Sequence, residues 1–94
     1  MKVIAMALAA SIALGMSSAA SAQEALAKSE GCLNCHAVDA KKVGPAFKEV
    51  AAKYKGKADA EATLTAKLTS GQGHPATKAK PDDVKGLVKW VLSL

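Results

Sequence analysis

The sequence predicts an all-α fold, and three observations carry that expectation. Apolar residues recur with helical spacing at Phe47, Val50, Ala51 and Tyr54, and again at Val84, Leu87, Val88 and Val91. No segment alternates apolar and polar residues with a period of two, the mark of a half-buried strand. Pro45, Gly56 and Pro81 stand where these stripes begin or end, as helix punctuation does.

The N-terminal segment is read as a leader rather than as part of the fold. Met1-Lys2 is a short basic start, Val3 to about Gly15 is apolar, and Ala20-Ser21-Ala22 fits an A-x-A cleavage site. The apolar run is short for a membrane span and has no stop-transfer flank. Residues 1–22 are therefore expected to be a cleaved signal peptide. Residues 23–94 then form one domain of 72 residues (94 less 22), with no stable membrane insertion and a periplasmic location.

Within that domain a first helix is expected from Glu24 to about Cys35, where Ala25, Leu26, Ala27 and Lys28 are good helix formers. Pro45 suits the first position of a second helix, which carries the Phe47–Tyr54 stripe and which Gly56 can end. Asp59 suits the N-cap of a third, Ala60 to about Thr69, with Leu64 and Leu68 on one face. Pro81 opens the last helix, and Asp82 and Asp83 complement the positive end of its dipole.

Composition narrows the function. A chain this short buries only roughly 60% of its unfolded surface, and such domains usually rely on a disulfide, a metal or a partner. The large side chains available are few: Phe47, Tyr54 and Trp90 are the only aromatics, and all three methionines (Met1, Met6, Met16) precede residue 23. A large bound cofactor would complete the core. From residue 23 onward there are 12 lysines, no arginine and 8 acidic residues, a net charge of +4. No basic run interleaved with aromatics is present, which argues against nucleic-acid binding.

The chemistry lies in "GCLNCHAVDAKKVGPAF", where Cys32, Cys35 and His36 form C-x-x-C-H. A disulfide between the two cysteines would close a very small loop and stabilise little. A thioredoxin-like pair wants a βαβ context, and strands are missing. Zinc needs a fourth ligand, and the only other histidine, His74, is distant in sequence. Attachment of a c-type haem accounts for every position. Two thiols three residues apart can form thioethers with the two vinyl groups, and the adjacent histidine sits under the iron. Export fits as well, because bacterial haem attachment of this kind occurs outside the cytoplasm.

Beyond the motif, "GCLNCHAVDAKKVGPAFKEVAAKYKG" and "LVKWVLSL" resemble the haem-binding segment and C-terminal helix of the small bacterial class I monohaem cytochromes c. The resemblance covers essentially all of residues 23–94. It implies a small cytochrome c fold of about four helices around one covalently attached haem c, with Cys32 and Cys35 as covalent attachment points and His36 as proximal ligand to iron. It also implies that the Pro45 carbonyl accepts a hydrogen bond from His36 Nδ1, fixing the ring. The family packs its first and last helices across each other, often with an aromatic on the first. Ala27 stands there instead, while Trp90 keeps its place and fills the core.

The resemblance breaks at the sixth ligand, which the family supplies as a methionine from the loop before the last helix. Here that loop is shorter, holds no methionine and reads "GQGHPATKAKP". His74 is the candidate distal ligand, since neutral imidazole suits iron and Gly71 and Gly73 let backbone approach closely. Lys78 or Lys80 could ligate only if deprotonated, which costs more for lysine than for histidine. An open site is the third option. Six-coordinate iron points to a periplasmic carrier of single electrons, not an enzyme. Lysines such as Lys41, Lys42 and Lys48 would meet acidic surfaces of redox partners. An open site points instead to a haem protein that binds small gases or peroxide.

Overall fold

The structure, a computed structural model, describes residues 17–94. Residues 1–16, which hold most of the expected leader, lie outside the described residues. Helix α1 spans Ser17–Ser29, a single 3-10 turn Cys32–Asn34 follows, and then come α2 (Phe47–Tyr54), α3 (Ala60–Ser70) and α4 (Pro81–Leu92). No strand occurs among the described residues. The all-α expectation and the number of long helices both hold.

Helix α4 is the centre of the packing, touching α1, α2 and α3. Its stripe buries Val84, Leu87, Val88 and Trp90, and Val91 is half-buried beside them. The core cluster joins Leu87 and Trp90 of α4 to Ala27 of α1 and Phe47 of α2. Phe47 meets Trp90 edge to face, with ring centres 5.7 Å apart and planes at 76°, a favoured aromatic geometry. At the periphery, the exposed Lys89–Glu61 pair at 3.8 Å contributes little.

Three element boundaries differ from expectation, the first being the start of α1 at Ser17, within the expected leader, rather than at Glu24. The first helix stops at Ser29 rather than continuing to Cys35. Gly31 adopts φ 82°, the left-handed region, and Gly31 N–H donates to Lys28 O at 3.2 Å. Glycine enters that region at no steric cost and so ends helices. The second helix starts at Phe47, two residues after Pro45. The segment before it is extended, Ala46 having φ −60° and ψ 144°. Phe47 N–H and Lys48 N–H donate to Ala37 O (2.9 Å) and Val38 O (3.0 Å). The first free N–H groups of α2 are thus taken by the chain that follows His36, which leaves the Pro45 carbonyl outside the helix. Asp59 does precede α3, but its side chain makes no cap bond.

Candidate functional site

The 3-10 turn places the C-x-x-C-H residues on one wall. Cys35 N–H and His36 N–H both donate to Cys32 O, at 3.2 and 3.0 Å. Cys32 is half-buried and Cys35 exposed, and both thiols are free. Burial pushes the Cys32 thiol up from its ordinary value; the Glu30 charge adds to this and a backbone hydrogen bond opposes it. The chain then loops back, and Gly44 N–H donates to Cys35 O at 2.7 Å.

This return positions His36. Its Nδ1 donates to the Pro45 carbonyl at 2.6 Å, and a carbonyl can only accept, so Nδ1 carries the proton. Gly44 lies against the imidazole: a Cβ built there would fall 2.8 Å from Nδ1 and 2.9 Å from Nε2. On the other side, the His36 ring stacks on Phe47 with centres 5.0 Å apart. The ring is held by a hydrogen bond, a glycine and an aromatic face.

His74 comes from the loop between α3 and α4. Gly71 and Gly73 adopt φ 76° and 75°, and Thr77 N–H donates to Leu68 O at 2.9 Å, tying the loop to α3. His74 Nδ1 donates to the Pro75 carbonyl at 2.7 Å. Both histidines therefore spend Nδ1 on a proline carbonyl and keep Nε2 for a metal. The two ring centres are 6.0 Å apart, with planes only 3° apart. Lys78 and Lys80 are exposed and do not line the space between the rings.

Between the histidines lies a cavity of about 580 Å³ whose wall includes Cys32, Cys35, His36, Pro45, His74 and Trp90. Its lining is largely apolar, with Val50, Leu64, Leu68, Val84 and Val88 contributing. The size suits a cofactor. Two imidazoles on opposite sides of one metal ion, each bound through nitrogen at about 2 Å, have ring centres about 6 Å apart, as here. The residues present fit a haem: two thiols on one wall, a carbonyl-bonded histidine on each side and an apolar space between.

Lys41, Lys42 and Lys48 are exposed but are not on the cavity wall. Lys42 Nζ instead donates to Leu33 O at 2.9 Å, because the return loop lays it over the 3-10 turn. The lysines on the wall are Lys53 and Lys67. Sequence reading missed both, since their place depends on how α2 and α3 pack. Val43, beside the cavity mouth, is 84% exposed.

Comparison with known proteins agrees with this geometry. The family described as "Cytochrome c" matches residues 20–94. Cytochrome c-551 of Pseudomonas aeruginosa is 47% identical over 77 residues, 74% of this chain and 74% of that protein. Cytochrome c-551 of Allochromatium vinosum is 41% identical over 90 residues, 87% of this chain and 96% of the relative. Among solved structures, the class 1 cytochrome MtoD of Sideroxydans lithotrophicus ES-1 superposes with a TM-score of 0.71 at 44% identity, covering 78% of this chain and 92% of that one. Such proteins carry a covalently bound haem c and transfer electrons between redox partners; they are not enzymes. A C-x-x-C-H turn opening onto an apolar cavity, in an all-helical domain with these relatives, places the chain in the cytochrome c family, as a small class I monohaem cytochrome c.

Proposed function

We propose that this electron carrier works in the periplasm with His36 and His74 as the axial ligands of its haem iron, and with Cys32 and Cys35 as the thioether attachment points. The observation that carries the ligand pair is the matched setting of the two imidazoles, parallel to within 3° and 6.0 Å apart, each with Nδ1 on a proline carbonyl. A carbonyl bond on Nδ1 fixes the tautomer and makes Nε2 a better donor to metal. Bound haem supplies a one-electron redox centre. The chain orients the two imidazoles and excludes water with the apolar wall, and the cations of Lys53 and Lys67 on that wall would offset negative charge on a bound haem.

The leader-like residues 1–22 support export, and no helix among the described residues is long and apolar enough to cross a membrane. The exposed lysines, Lys41, Lys42 and Lys48 among them, suit acidic partner surfaces.

Optical and EPR spectra of the holoprotein and of His74→Ala test the ligand pair. The wild type is expected to be low-spin, and His74→Ala high-spin with rapid CO binding when reduced. A low-spin spectrum unchanged in His74→Ala would show that another group holds the sixth position. Rapid CO binding by the reduced wild type would favour the open-site, gas-binding alternative.

A further inference from the structure

Among residues 19–94, the first that packs is Gln23. Ala19, Ala20, Ser21 and Ala22 are all exposed, although they belong to α1, whereas Gln23 is half-buried. Cleavage after Ala22 would leave glutamine as the first residue.

The surroundings of Gln23 are specific. Its carboxamide lies on Gly86 of α4: a Cβ built on Gly86 would fall 3.2 Å from Gln23 Nε2 and 3.5 Å from Oε1. Glycine in a helix interior costs about 0.5–1 kcal/mol relative to alanine, and at position 86 it leaves room for the group at position 23. Gln23 Oε1 is buried and has no hydrogen-bond partner among the described residues.

We infer that Gln23 is a modification site, converted to an N-terminal pyroglutamate once the leader is removed. The free α-amine, whose ordinary pKa of about 8 leaves a deprotonated fraction at neutral pH, attacks the side-chain Cδ of the same residue. An N–Cδ bond forms, the Cδ–Nε2 bond breaks, and ammonia leaves with the proton given up by the attacking nitrogen. No oxidant, reductant or second substrate is required. The product is a neutral five-membered lactam with an amide carbonyl. The atom that departs is the carboxamide nitrogen, which lies nearest the space that a side chain at position 86 would fill. The lactam removes a cation from the start of α1, where the helix dipole disfavours one, and leaves no amine for aminopeptidases to engage.

This inference rests on cleavage after Ala22 and not on the haem ligands. Intact mass spectrometry of holoprotein purified from periplasm tests it, with N-terminal sequencing before and after pyroglutamyl peptidase. The expected mass is that of residues 23–94 plus haem, less one ammonia. Sequencing is blocked at first and reads from Glu24 after the peptidase. Gln23→Glu, which cyclises far more slowly, is expected to show the unreduced mass and an open N-terminus. A wild-type chain that begins at Gln23 with its full mass and an open amine overturns the modification while leaving the cleavage site intact. A chain that begins at any other residue overturns both.

Discussion

The two histidines owe their parallel planes to ordinary residues beside them. His36 is fixed by Pro45 O at 2.6 Å and by the Phe47 ring, yet neither could act if position 44 carried a side chain. Gly44→Ala is expected to push the imidazole off Pro45 O, because its Cβ would sit inside van der Waals contact of the ring. The neighbour on that side is the His36 ring, held by Pro45 O and Phe47, so the strain cannot relax into a flexible surface chain. The expected outcome is a mixed-spin or shifted EPR spectrum and a thermal midpoint lowered by several degrees, corresponding to about 1–3 kcal/mol of overpacking. An unperturbed EPR spectrum in Gly44→Ala would show that the ring has more room than the backbone implies. The same scale explains what could be read in advance. Cys32, Cys35 and His36 are contiguous, so their chemistry is visible in one line of sequence. That His74 comes within 6.0 Å of His36 depends on two left-handed glycines and on the Thr77–Leu68 bond, which belong to the folded chain.

At the scale of elements, α4 was legible from Pro81 to its end because proline, two aspartates and an i, i+3, i+4, i+7 stripe all agree. The boundaries of α1 and α2 were less so. Helix propensity runs on through Leu33, but the left-handed Gly31 overrides it. Pro45 is a good first helical residue, but hydrogen bonds from Phe47 and Lys48 N–H to the Ala37 and Val38 carbonyls move the start to Phe47. The α1–α4 crossing gives the sharpest packing prediction. Ala27 is 1% exposed and lies in one cluster with Phe47, Leu87 and Trp90, so the small residue here is part of a filled contact. Ala27→Phe, although aromatics are common at this place in the family, is expected to destabilise by about 1–3 kcal/mol through overpacking. Trp90→Ala, which opens the other side of the cluster, is expected to cost about 3–5 kcal/mol. Denaturant midpoints of the holoproteins check both. A stabilised Ala27→Phe would reveal unfilled space between α1 and α4.

For the whole molecule, the proposed axial pair would decide where the carrier sits among its redox partners. Axial ligands help to set haem potentials over a range of roughly 0.8 V, and a methionine sulfur raises the potential relative to a second histidine. The thioether favours the reduced iron, whereas imidazole, made more basic by the Pro75 carbonyl at 2.7 Å, favours the oxidised form. The protein is therefore expected to accept electrons from lower-potential donors than a His/Met relative of the same fold would. His74→Met tests this within one chain, since the loop, the apolar wall and the wall lysines stay the same. Redox titration should place His74→Met higher than wild type by on the order of a tenth of a volt or more, with both iron centres low-spin. Equal midpoint potentials would mean that position 74 does not reach the iron, and the parallel rings would then need another explanation. The comparison isolates the ligand, because the substitution exchanges a neutral imidazole for a neutral thioether and leaves the protein's net charge, and with it long-range steering of partners, unchanged.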